Sequence, residues 1–195
     1  MSDKPALLLY IHGFNSSPQS LKAKLMAEYC AVQRPDIKLI VPQLPCYPKQ
    51  AAAYLESIVE LHLEHYNIGL VGSSLGGYLS TWLNDKYGVK AVVVNPAVKP
   101  YELLVDYLGE QTNPYTNETY TLEPHHIDEL KQLEVHSLRS PGDFWLLQQE
   151  GDEVLDYRQA VDKFRDSRQT VEPNGDHSFI DFERYPQKIV EFLTL

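Results

Sequence analysis

The chain has 195 residues, which fits one domain and provides enough length to bury roughly 70% of the surface its unfolded form exposes. Apolar residues at 43% and charged residues at 23%, with no low-complexity tract or repeat, exclude a disordered polymer. A net charge of −10 without any Lys/Arg run excludes a strip for phosphate backbones, so nucleic acid is not an expected partner.

The first apolar run, Ala6 to Ile11 counting Tyr10, has only six residues, too few for a secretory leader. No stretch approaches the ~18 residues that span a bilayer, and the expected location is the cytosol. Cys30 and Cys46 are read as free thiols of a reducing compartment.

Four short runs have the unalternating character of strands buried on both faces: 6–11, 38–42, 68–72 and 91–95. Two more follow, at 144–149 and 168–173, which makes six candidates. Between them lie segments of helical period: Leu21, Leu25, Tyr29 and Val32 after a start signal at Ser17-Pro18; Leu55, Ile58, Val59 and Tyr66; Val154, Tyr157, Val161 and Phe164; and Phe182, Tyr185, Ile189 and Leu193. Alternating strands and helices predict a parallel sheet covered on both faces by right-handed crossovers. The rhythm breaks between Pro96 and Pro141, where a Tyr/Asn/Thr-rich centre reads either as a lid or wall over a pocket, centred on 109–135, or as a surface excursion with one or two helices.

The third strand ends in Gly72-Ser73-Ser74-Leu75-Gly76-Gly77 and helix-forming residues resume at once. Open parallel sheets bind ligands at the carboxyl ends of their strands. A serine hydroxyl there becomes a nucleophile only if it is exposed, aimed and placed beside a base. A tight strand-to-helix turn does the aiming, and the residues two before and two after its apex must lack side chains. Gly72 and Gly76 stand in that relation to Ser74, whereas Ser73 would have Val71 and Leu75 at its flanks. At ordinary glycine and serine usage this spacing arises by chance roughly 0.07 times in such a chain.

The helix after Ser74 begins with unpaired N–H groups, so the amide of Leu75 is a candidate oxyanion donor. Phe14, in His12-Gly13-Phe14-Asn15 after the first strand, supplies the second candidate. His12 is read as ordering that loop. His177, in the turn between the last strand and the last helix, is the candidate base; His62 and His65 are assigned to a helix, and His125, His126 and His136 to the excursion as solvated side chains. A carboxylate must hold the far nitrogen of the imidazole, and Asp152, just past the fifth strand, is preferred to Asp176, Asp156, Glu150 and Glu153. No His-Glu-x-x-His pattern or Cys/His cluster indicates a metal. Phe14, Tyr47, Leu75, Tyr101 and Tyr115 are the candidate lining of an acyl pocket.

The order serine, acid, histidine is that of the α/β-hydrolase superfamily, and the loops at 12–14, 72–77, 151–154 and 175–177 resemble its loops. More narrowly, IHGFNSSPQS, VGSSLGGYLSTWL, NPAVKPYELL, GDEVLDYRQA and GDHSFIDFE resemble the small bacterial YqiA-type esterases, over residues 6 to 193. The resemblance implies a compact α/β-hydrolase fold of about six mostly parallel strands, with helices on both faces and no large cap. It implies hydrolysis of small-molecule acyl esters, extending to acyl-CoA thioesters, by a Ser-Asp-His triad without metal or organic cofactor. A shallow, open site follows from the lack of room for a cap. Two other functions compete, a dedicated acyl-CoA thioesterase, against which the net acidity mildly counts, and a hydrolase-fold binding protein without catalysis.

Overall fold

The computed structural model describes residues 4–195. Its main sheet has six strands, all parallel: β1 (Ala6–Ile11), β2 (Lys38–Ile40), β3 (Asn67–Ser73), β4 (Lys90–Val94), β7 (Phe144–Gln149) and β8 (Arg168–Glu172), in the spatial order β2-β1-β3-β4-β7-β8. These are the six runs read from the sequence, the second being shorter than expected.

Both faces of the sheet are covered. Leu7, Leu9 and Ile11 of β1, with Leu70, Ala91, Val93, Phe144 and Leu146, pack beneath α2 (Pro48–His62), α3 (Leu75–Tyr87) and α6 (Tyr157–Lys163). Leu8 and Tyr10 point the other way and join Val71, Val92, Val94, Trp145 and Leu147 under α1 (Leu21–Gln33) and α7 (Pro186–Leu193). Successive strand residues serve opposite cores, so the central runs β1, β3 and β4 are apolar instead of alternating.

Helix boundaries differ from the periodicity in informative ways. The first helix starts at Leu21, three residues beyond Pro18, because Ser17 Oγ accepts from Gln19 N and closes a turn there. Tyr66 and Val154 lie outside α2 and α6, in the adjoining turns, Phe164 just follows α6, and Phe182 and Tyr185 precede α7, Phe182 in a short 3₁₀ helix (Phe182–Arg184); His65 also falls just past α2.

The excursion between β4 and β7 carries two helices, α4 (Pro100–Leu104) and α5 (Pro124–Gln132). It also carries an antiparallel hairpin, β5 (Gly109–Thr112) with β6 (Thr119–Leu122), that the sequence reading did not anticipate. Its strands have four residues each and only Tyr120 and Leu122 are buried, so the alternation is too brief to stand out. These elements form a third apolar cluster, with Leu104, Tyr120, Leu122, Ile127 and Leu130 meeting Phe14, Tyr47 and Leu75. The excursion is thus a wall against the ends of β1 and β3. Among the described residues no helix is long and apolar enough to cross a membrane.

Candidate active site

From β1 the chain runs to β2 on one side and, after crossing the other face, returns as β3 on the opposite side of β1. The crevice at such a reversal point lies outside the carboxyl ends of the two central strands. The loop 12–15 and Ser74 therefore emerge side by side, with Ile11 in register with Gly72.

Ser74 has φ 54° and ψ −119°, a conformation that non-glycine residues adopt only under strain. The turn is as tight as the spacing predicted. A Cβ on Gly72 would stand 2.2 Å from Gly76 O and 2.3 Å from Ser80 Oγ, and one on Gly76 would stand 1.9 Å from Ile11 O. The elbow is tied to the end of β4 and the loop that follows it, since Ser74 N donates to Val94 O and Ser74 O accepts from Ala97 N.

Three side chains distant in sequence converge here. Ser74 Oγ lies 3.2 Å from His177 Nε2, and His177 Nδ1 lies 2.8 Å from Asp152 Oδ2. A carboxylate only accepts, so Nδ1 carries the ring proton and Nε2 faces the serine hydroxyl as an acceptor. The Asp152 side chain is fully buried while the imidazole stays 23% exposed, open to a reactant. The other oxygen of Asp152 accepts from Val154 N and Leu155 N. Asp176, the neighbour in sequence, turns away: its Oδ1 accepts from Ser178 N and Ser178 Oγ. Asp156 pairs with Arg158, and Glu153 accepts from His177 N through its carboxylate.

His12 is buried and holds its own loop to the next one, with Nδ1 donating to Gly13 O and Nε2 accepting from Leu44 N. Burial lowers its pKa, which favours this neutral state. The loop passes close over the elbow, where a Cβ on Gly13 would stand 3.2 Å from Ser74 Cβ. Leu75 opens α3, so its N–H has no acceptor within the helix.

Beside Ser74 lies a narrow apolar cavity of about 30 Å³, lined by Phe14, Cys46, Tyr47, Leu75 and, from the wall, Leu104, Tyr120, Leu122 and Leu130. Of the residues proposed from sequence for an acyl pocket, Phe14, Tyr47 and Leu75 line this cavity and Tyr101 and Tyr115 do not. The Tyr101 hydroxyl donates to Glu134, and Tyr115 sits half-exposed at the hairpin tip. The wall residues escaped sequence reading because nothing local distinguishes a lining leucine from a core one. Tyr120 Oη donates to Asn15 Oδ1 and Asn113 Nδ2 to Ser16 O, pinning the hairpin to the loop that bears Phe14.

His126 corrects its expected exposure. It is buried, stacks on Tyr47 at 4.3 Å, and accepts from Glu123 N through Nδ1 to complete a capping box. His125, His126 and Glu129 bring donor atoms within 4.8 Å of one another. The cap bond leaves the His126 proton on Nε2, however, so neither ring nitrogen offers a lone pair to a cation.

Lys22, on the first turn of α1, donates to Ser178 O beside the histidine. Burial pulls its pKa down to about 8, with Asp176 and Asp152 acting in the opposite direction.

The family model described as "Uncharacterised protein family (UPF0227)" matches residues 7–194. Among solved structures, a candidate hydrolase from Agrobacterium vitis S4 superposes with a TM-score of 0.77 at 17% identity, covering 98% of this chain and 89% of that one. Est1E from Butyrivibrio proteoclasticus, bound to ferulic acid, gives 0.71 at 11% identity over 99% and 90%. The mouse alpha/beta hydrolase domain-containing protein 10 gives 0.69 at 20% over 100% and 92%. At these identities the likeness speaks for the fold, in which the described residues form no large cap. The chain belongs to the UPF0227 family, that of the YqiA-type proteins, and has the α/β-hydrolase fold.

Proposed function

We propose that the protein is a serine hydrolase that cleaves carboxylic esters of small acyl groups through an acyl-enzyme. The observation that carries this reading is the chain of contacts from Ser74 Oγ through the His177 ring to the buried Asp152 carboxylate. The solved neighbours are consistent with it, since one is a protein with a bound aromatic carboxylic acid.

In this reading Ser74 Oγ attacks the acyl carbonyl carbon while His177 Nε2 takes the hydroxyl proton. Asp152 stabilises the imidazolium that forms and holds its tautomer. The negative oxygen of the tetrahedral intermediate is received by the N–H groups of Phe14 and Leu75, each worth roughly 3 kcal/mol in such a site. His177 then protonates the departing alcohol, and water repeats the sequence on the acyl-serine, returning the proton to Ser74. The apolar cavity takes the acyl group and the open side of His177 releases the leaving group.

The test is turnover of p-nitrophenyl acetate by the wild type, Ser74→Ala and Asp152→Asn, with matched oxyester and thioester substrates run beside it. Ser74→Ala is expected to fold and to lose almost all turnover, and Asp152→Asn to lose on the order of 10⁴-fold in kcat. Wild-type-like turnover in Ser74→Ala would refute the assignment. A thioester preference would move the reading to a dedicated acyl-CoA thioesterase, and no turnover in the wild type would move it to a binding protein.

A further inference from the structure

The segment that carries His177 draws most of its support from outside itself. Residues 174–181 include four with positive φ, namely Asn174, Gly175, Phe179 and Asp181. Within 176–180 the backbone contributes a single internal bond, from Phe179 N to Asp176 O. Asp176 Oδ1 adds two local bonds, from Ser178 N and Ser178 Oγ, and more anchors come from side chains of distant elements: Glu153 on His177 N, Lys22 on Ser178 O, Gln149 on Asp176 N, Ile180 N and Ile180 O, and Asn95 on Asp176 O and His177 O.

Asn95 differs from the other anchors because it also belongs to the serine's own support. It directly follows β4, between Val94, whose carbonyl accepts from Ser74 N, and Ala97, whose N–H donates to Ser74 O. It is 1% exposed and has φ 39°, a positive value that asparagine tolerates better than most side chains. Its own N–H donates to Leu147 O. Both carboxamide ends are used: Nδ2 donates to Asp176 O at 2.9 Å and to His177 O at 3.1 Å, while Oδ1 accepts from Gln149 N at 2.9 Å.

We propose that Asn95 is a positioning residue that sets the separation of Ser74 and His177, its carboxamide clamping the histidine loop to the strand end that braces the serine. The proposal rests on the serine-hydrolase reading for its effect on turnover, and on geometry alone for its effect on His177. The residue type follows from the partners. Two carbonyls converge on one end and an N–H on the other, so the site needs two donors and one acceptor, which an amide supplies. Aspartate, of the same shape, would turn a charged oxygen toward two carbonyl oxygens. Glycine would accept the positive φ and supply none of the three bonds, leaving His177 O and Gln149 N without the amide while Asp176 O keeps only Phe179 N.

Asn95→Asp and Asn95→Gly test this, the glycine variant being compatible with the bent backbone. Two readouts are taken well below the melting temperature. In p-nitrophenyl acetate hydrolysis, both variants are expected to lose about 10²-fold in kcat with KM within about threefold of wild type, as a displacement of ~1 Å between reacting groups would cause. In proton NMR, the downfield signal of the Asp152-bound His177 Nδ1–H, identified by its absence in His177→Gln, is expected to broaden or vanish in Asn95→Gly and to persist in Ser74→Ala. The NMR arm stands even if the wild type hydrolyses no ester, which separates failure of this proposal from failure of the esterase reading. An unchanged signal in Asn95→Gly, or kcat near wild type in that variant where the wild type is active, would overturn the clamp.

Discussion

Replacing Gly76 by alanine adds one methyl group at the tightest point of the elbow. The new Cβ would stand 1.9 Å from Ile11 O, 2.7 Å from Ile11 C and 2.9 Å from His12 O, all backbone atoms that no rotamer change can withdraw. Ordinary contact begins at 3.4 Å, so the start of α3 and the end of β1 must part by about 1.5 Å, where ~1 Å between reacting groups already costs on the order of 10²-fold. The movement separates Leu75 N from Phe14 N and Ser74 from His177 at once. Overpacking of this kind also costs roughly 1–3 kcal/mol of stability. The assay is kcat/KM for p-nitrophenyl acetate together with a urea titration; the expected outcome is at least a 10²-fold loss of kcat/KM and a lower midpoint. Gly142→Ala is the control, because its Cβ would meet nothing within 4 Å. Turnover within a few-fold of wild type in Gly76→Ala, at an unchanged midpoint, would refute the close-approach argument.

Two further predictions follow from the cavity and from buried histidines. The cavity of about 30 Å³ is closed by Leu104, Tyr120, Leu122 and Leu130, so catalytic efficiency should fall from acetyl and butyryl to octanoyl esters, and Leu122→Ala should flatten that decline; a rise with chain length in the wild type would contradict it. His12 and His126 have pKa values lowered by burial, from an ordinary 6.5, so below that pH the unfolded chain takes up protons that the folded one refuses. Stability is therefore full above pH 6.5 and declines as pH falls toward the lowered folded-state values. His12→Gln, which keeps a donor and an acceptor, should show a shallower loss of urea midpoint between pH 7.5 and 5.5 than the wild type, and parallel profiles would show that His12 is not responsible.

The central strands β1, β3 and β4 were legible because each is buried on both faces and carries an apolar run, while β2 and β8 at the edges are only partly buried and were read from their place in the strand–helix rhythm. The serine elbow was legible because its glycines are dictated by local crowding, which depends on residues adjacent in sequence or one strand away. The short hairpin was not legible, since its four-residue strands bury two side chains between them. His126 read as a solvated histidine because its cap bond to Glu123 and its stacking on Tyr47 depend on where α5 docks.

The strand–helix rhythm, the tight turn at Ser74 and the candidates for base and acid could be read from the residues alone, all properties that neighbouring residues impose through backbone and burial preferences. The tertiary structure alone decided which carboxylate reaches the imidazole, turning Asp176 back on Ser178 and bringing Asp152 from another strand end. It also decided that leucines of the wall close the cavity and that Asn95 grips the histidine loop. These are long-range relations, and their reason is physical: a side chain's partner across the sheet is fixed by strand order and loop path, quantities that no local window of residues contains.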